Sequence, residues 1–293
     1  MRILPVIVVL ALATMPAYGE EEVPQLSESM ARVIISLRLA GEMIDGVLVA
    51  QCPRSDLPLS ARAGDTLLVL ADASWVSWKE TGKGMLMTGN FLLKDDEVQT
   101  FAAGLVKGNI RVAGIHDYSP GGGCGIRCVH FQGTGKGEVM AKTVRLALEK
   151  IGLPQKSEVS ASQGKPVVLD TVQIESIMGM KGRIANGVLK FLRARKGIKL
   201  SDVELTAGMG ADSCAGFAGT NEQAMVSGTL VLTEAEVNPV IRSLQNGGIS
   251  VLSLHNHFLD DQPRTLFLHF QGAGNALNLA RTLRAAFDLS KGQ

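Results

Sequence analysis

Sliding the sequence against itself by 139 residues lays Gly89 on Gly228 and keeps two stretches in register, without a gap, to Leu148 and Phe287. "MTGNFLLKDDEVQTFAAGLVKGNIRVAGIHDY" falls on "VSGTLVLTEAEVNPVIRSLQNGGISVLSLHNH", and "CVHFQGTG" on "FLHFQGAG". Roughly a third of these positions are identical, too many for chance. A shift of 141 extends the match upstream, with "IDGVLVAQCPR" over "ANGVLKFLRAR". Whatever one copy folds into must therefore occur twice. The copies are expected at residues 24–153 and 167–293. The polar stretch "PQKSEVSASQGKP", residues 154–166, joins them as a linker.

Each copy predicts the same order of elements. In the second, "MVSGTLVL" alternates as a strand, and Thr233 with Glu236 forms a capping box for the helix that follows. Val237, Val240, Ile241 and Leu244 recur at helical spacing, and Gly247-Gly248 ends the helix. "ISVLSLHNH" is then a strand, "FLDDQPR" a turn, "TLFLHFQ" a returning strand, and Ala276 to Phe287 a second amphipathic helix. Strand, helix, strand, strand, helix is the order of a split βαβ or ferredoxin-like layer. Upstream strands such as "DGVLVAQ" and "NGVLKFL" would widen the sheet. The expected fold is thus α+β, a tandem duplication whose helix-free faces approach one another across a pseudo-twofold axis.

Strand parity then sorts the histidines. Alternate residues face opposite sides, so Leu266, Leu268 and Phe270 cover the helices while Thr265, Phe267, His269 and Gln271 face away. In the outgoing strand Leu252 and Leu254 match the helix side, and Ser253, His255 and His257 match the side of His269. A hairpin symmetric about Gln262 would set His255 directly across from His269, about 5 Å apart at Cβ. The first copy repeats the pair as His116 and His130, with Tyr118 in place of His257 and Cys128 in place of Phe267. All five histidines of the chain belong to this one motif.

Three imidazoles on one sheet face suit zinc, copper or iron. The leading expectation is a transition-metal site of His255, His257 and His269, joined by His116 and His130. Gln271, Glu236 or a water would supply a further ligand, and Cys128 would serve a site in the first copy. The competing reading makes these histidines hydrogen-bonded groups of a packed interface. A metal-free catalytic reading would pair His255 or His269 with Asp260 or Asp261, but both aspartates fall in the turn. Trp75 and Trp78 read first as core and second as a sugar or peptide platform. Arg54 and Arg264, each following a proline, read as ion-paired rather than anion-binding. "PGGGCGIRC" has glycines but no following helix, so it is a turn rather than a phosphate cradle.

The N-terminal "MRILPVIVVLALATMPAYGEEE" reads as a secretory signal peptide, residues 1–19, with cleavage near Gly19. Its apolar run falls short of the roughly 20 residues of a membrane span, and no cysteine follows it to carry a lipid. The expected location is periplasmic or secreted. A net charge of +1 argues against a nucleic-acid partner. In an oxidising compartment Cys52, Cys124, Cys128 and Cys214 permit one or two disulfides. On a straight strand Cys124 and Cys128 would lie about 13 Å apart, too far for a bridge.

"GTLVLTEAEVNPVIRSLQNGGISVLSLHNHFLDDQPRTLFLHFQGAG", followed by "LARTLRAA", closely resembles the LppY/LpqO-like family of exported bacterial proteins, which includes mycobacterial lipoproteins. "PRSDL" near the start of the first copy is similar to that family as well. The resemblance spans nearly all of the mature chain and is looser in the first copy, where Tyr118 and "GGGCGIRC" depart from the pattern. It implies export and a duplicated fold but no reaction, and without a lipobox cysteine it implies no anchor here. Beside metal binding, the chain is compatible with a binding module for a cell-envelope glycan or peptide, and third with a metal-dependent hydrolase.

Overall fold

The computed structural model describes residues 26–54, 56–57, 74–118, 125–153, 167–185 and 187–290. The expected signal peptide, the 154–166 linker and Cys124 lie outside these. The first half runs α1 (Glu28–Leu37), β1 (Gly41–Ile44), β2 (Val47–Cys52), β3 (Ser74–Thr81), β4 (Gly84–Lys94), α2 (Asp95–Lys107), β5 (Arg111–Asp117), β6 (Ile126–Gly135) and α3 (Gly137–Glu149). The second runs α4 (Thr171–Met178), β7 (Arg183–Ala185), β8 (Val188–Ala194), β9 (Lys199–Leu200), β10 (Val203–Glu204) and β11 (Asp212–Gly219). It continues through β12 (Ala224–Thr233), α5 (Glu234–Asn246), β13 (Ser250–His255), β14 (Asp261–Gln262), β15 (Thr265–Gly274) and α6 (Ala276–Leu289).

Each half is thus a mixed α+β unit built on a six-stranded antiparallel sheet. Their orders, β1-β2-β3-β4-β6-β5 and β7-β8-β11-β12-β15-β13, correspond strand for strand. The short strands β10, β9 and β14 add a three-stranded sheet in the second half. The expected helices are present, and each half also opens with a helix that the strand reading omitted. Ser27 caps α1 by accepting from the Met30 N–H, and Asp170 caps α4 by accepting from Gln173. Met30, Val33 and Leu37 bury one face of α1 against the first core.

Matching details repeat at matching places. Gly89 lies across from Phe131 and Gly228 across from Phe270. A Cβ on Gly89 would stand 2.3 Å from Phe131 Cζ, and one on Gly228 2.1 Å from the Cys214 carbonyl oxygen. Only glycine lets the phenylalanine ring lie flat over the neighbouring strand. The Thr233–Glu236 capping box forms as expected, with Thr233 N–H donating to Glu236 at 2.7 Å. Lys94 N–H makes the equivalent bond to Glu97 at 2.8 Å.

Glu236 and its counterpart also hold a buried arginine. Arg195 donates to both Glu236 oxygens, at 2.6 and 3.0 Å, and to the Val231 and Ser290 carbonyls. Arg54 does the same with Glu97 and the Leu92 carbonyl and adds Asp56. Arg54 is therefore ion-paired, as expected, but in the interior, at 5% exposure. The corollary is that Glu236 is committed to Arg195 and the start of α5, so it is not available as a metal ligand.

The helix-free faces of the two sheets meet in a third core. Val47, Val49 and Leu86 of the first half pack with Leu200, Met209, Val231, Phe258 and Phe267 of the second. Polar bonds cross the same seam. Gln132 both donates to the Leu259 carbonyl and accepts from the Leu259 N–H, at 2.9 and 2.8 Å. Asn256 donates to the Ala113 carbonyl at 3.0 Å.

Candidate functional site

The histidines are carried by the edge hairpin of each sheet, and there the register differs from the simple expectation. Ser253, not His255, lies across from His269, and His255 lies across from Phe267. The offset is two residues because the hairpin is centred on Asp261 rather than Gln262, and a bulge between Val251 and Ser253 changes the register by one more residue on the far side of Ser253. Val251 consequently pairs with Phe270 and packs toward the helices, the role parity gave to Leu252. The first half carries the same bulge between Val112 and Gly114, with Gly114 across from His130 and His116 across from Cys128.

The shift does not disperse the histidines, because His255 stays on the face of His269 one pair further along. Their rings stack with centroids 4.9 Å apart. The packing of the two helix-free faces then brings the first half's pair onto the second half's three. His116 lies 3.9 Å from His255 and 5.7 Å from His269 between ring centroids, and His130 stacks on His257 at 3.7 Å. His257 is also backed by Phe267 at 3.6 Å. One ligand atom from each of His116, His255, His257 and His269 can be chosen so that all lie within 4.8 Å of one another. His130 joins through His116, their Nε2 atoms 2.9 Å apart, and His255 and His257 Nε2 are 3.2 Å apart.

Two outer contacts set which nitrogen faces inward. His116 Nδ1 meets the Asp117 carbonyl oxygen at 2.8 Å; a carbonyl can only accept, so that nitrogen carries the proton and Nε2 keeps its lone pair. His269 Nδ1 meets the Thr229 hydroxyl at 3.0 Å, leaving its Nε2 buried without a hydrogen-bond partner. Burial first, and then the neighbouring rings, hold His130 and His257 well below the ordinary imidazole value. The same causes bring His255 down to about 4 and His269 to about 3. His116 is lowered by burial, partly offset by its bond to Asp117. All five rings are therefore neutral at pH 7, the form that can donate a lone pair.

The other residues singled out by sequence fall elsewhere. Asp260 is exposed and pairs with Arg111, and Asp261 is buried and accepts from the Thr265 N–H and hydroxyl. Neither aspartate is placed as a partner for a catalytic histidine. Cys128 lies across from His116 and packs with Leu57, Leu92, Tyr118 and Ile126, outside the imidazole group. Tyr118 is buried in that apolar cluster, unlike its counterpart His257. Gln271 continues the face of His269, across from Ser227. Trp78 is fully buried in the first core, and Trp75 points the other way against Gly210, so the two rings form no common platform. Cys52 and Cys214 are free thiols. Arg264 is exposed. No helix among the described residues is long and apolar enough to cross a membrane.

Sequence reasoning passed over Thr229 and Asn256, which fix His269 and the start of the 256–260 turn. Thr229 was within reach of parity, since it lies in an alternating strand on the face of His269. Asn256 acts on the other half of the molecule, and nothing local marks it.

No curated protein matches the chain. Among solved structures it is similar to the trimeric bacterial microcompartment shell protein PduB, at 14% identity and a TM-score of 0.23 over 86% of this chain and 90% of that one. It is also similar to EtuB from Clostridium kluyveri, at 10% identity and a TM-score of 0.20, over 86% and 90%. Likenesses at such TM-scores assign neither fold nor function. The family described as Domain of Unknown Function (DUF1259) matches residues 31–150 and again residues 172–289, once on each half, and the chain belongs to that family.

Proposed function

We propose that the protein binds a transition-metal ion between its two halves, through His116, His255, His257 and His269, with His130 beside them. The observation that carries this reading is the convergence of four imidazole ligand atoms within 4.8 Å, one from the first half and three from the second. Neutral imidazole suits zinc, copper and iron. His269 Nε2 is buried without a hydrogen-bond partner, which leaves its lone pair open to a ligand. Binding is favoured over hydrolysis because Asp117 is paired with Arg127 and Asp260 with Arg111, while Asp261 is buried and held through Oδ2 by Thr265.

The wider reading is of an exported protein, periplasmic or secreted, related to the LppY/LpqO-like proteins, with domains at 24–153 and 167–293. Residues 1–19 and the sequence strings of the second copy support it. Each unit is read as a ferredoxin-like, split βαβ layer widened by N-terminal strands, with the halves about a pseudo-twofold axis. The near-equal cross distances support that axis: 5.7 Å for His116 to His269 and 6.4 Å for His255 to His130.

Elemental analysis of protein purified without a tag tests the function. The wild-type chain should carry a stoichiometric metal that the His255→Ala/His269→Ala double variant lacks. Equal metal in both, or none in either after growth with zinc, copper and iron supplied, overturns the reading.

A further inference from the structure

The position that contacts His269 in the second half has a counterpart in the first half with a different side chain. Thr229 lies directly across the β12–β15 ladder from His269 and contacts its Nδ1. Moving back by the repeat of 139, the same position is Asn90, directly across the β4–β6 ladder from His130. Directly opposed residues of an antiparallel pair share a face, with Cβ atoms about 4.5–5.5 Å apart, so the amide is in reach of the ring. Asn90 Oδ1 is buried and makes no hydrogen bond. A buried carbonyl oxygen without a donor calls for an explanation, and the explanation offered by position is the ring it faces. His130 meanwhile turns its Nε2 toward His116 Nε2, 2.9 Å away.

We propose that Asn90 and Thr229 are equivalent positioning residues, each holding the Nδ1 side of the histidine across its ladder so that Nε2 is presented to the metal. This rests on the metal-binding reading and extends it, because it makes His130 a further imidazole of the centre. An amide oxygen only accepts, so Asn90 selects the Nδ1–H form of His130 and leaves the Nε2 lone pair free. Histidines that bind metals characteristically donate their second N–H in this way, and removing the acceptor lowers metal affinity about 10- to 100-fold.

The test uses the full chain stripped of metal and titrated with cobalt(II) and with zinc against a chromophoric chelator. Asn90→Ala and the bulkier Asn90→Leu, both lacking an acceptor, should lose about 10- to 100-fold in affinity and change the visible cobalt spectrum. Asn90→Thr, the second half's own solution, should restore both. Wild-type affinity and an unchanged cobalt spectrum in whichever of Asn90→Ala and Asn90→Leu keeps the wild-type circular dichroism would overturn the positioning role while leaving the metal reading intact. A wild-type chain that takes up neither ion would remove both together.

Discussion

Replacing Arg195 by methionine should destabilise the second half far more than a surface change would. The guanidinium is 7% exposed and its partner carboxylate 13%. It supplies two bonds to Glu236 and one each to the carbonyls of Val231 and Ser290. Methionine fills much of the volume but returns none of these donors, leaving the Glu236 carboxylate with the Thr233 N–H as its remaining backbone donor. Breaking a buried pair by removing one partner costs about 3–5 kcal/mol, which for a unit of this size lowers Tm by about 6–20 °C. Urea denaturation of both proteins measures it. Adding Glu236→Gln removes the stranded charge, so the double variant should recover about 1–3 kcal/mol relative to the sum of the single changes. The pH dependence has a fixed sign. Burial alone would raise the Glu236 pKa, but the Arg195 bonds and charge more than offset it and hold it below its ordinary value of 4.5. The folded state thus favours the carboxylate, and this contribution is complete above pH 4.5 and lost as pH falls below it. Arg195→Met should flatten that acid limb. A cost under about 1 kcal/mol, or strict additivity in the double variant, would refute the reasoning.

Three further outcomes are expected. Zinc at about 100 times its Kd should stabilise metal-free protein by about 2.7 kcal/mol, read as a rise in melting temperature that His116→Ala/His255→Ala abolishes. Gln132→Ala removes both bonds to Leu259 across the seam and should cost about 2–3 kcal/mol; amide exchange at Leu259 should quicken more than at Val240, and equal protection in variant and wild type would count against it. Gly228→Ala should destabilise more than Gly89→Ala in urea titrations, because the new methyl meets a backbone oxygen at 2.1 Å rather than only a phenylalanine ring.

The duplication made much of this legible in advance. One shift of 139 residues equates the ladders on which Asn90 faces His130 and Thr229 faces His269. Parity put His269 and His255 on one face, and residue type marked the Thr233–Glu236 cap. The bulge after Val251 was not legible, since one extra edge residue leaves composition and alternation nearly unchanged and is settled by pairing with β15. Nor was the fate of Glu236, whose arginine lies 41 residues away in sequence. The gathering of five rings into one group depends on how the sheet faces dock, through contacts such as Asn256 to Ala113, 143 residues apart. A repeat predicts two equivalent sites, and packing merged them.

Tyr118 and His257 stand at matching places, one folded into an apolar cluster and the other in the centre. Two identical subunits about a true axis contribute side chains in twos, so a ring of histidines between them is always even in number. Covalent fusion lifts that restriction. This chain gathers an odd set of five, and the unmatched member gives the centre a direction, a front distinct from its back, that no symmetric dimer of the single unit could possess.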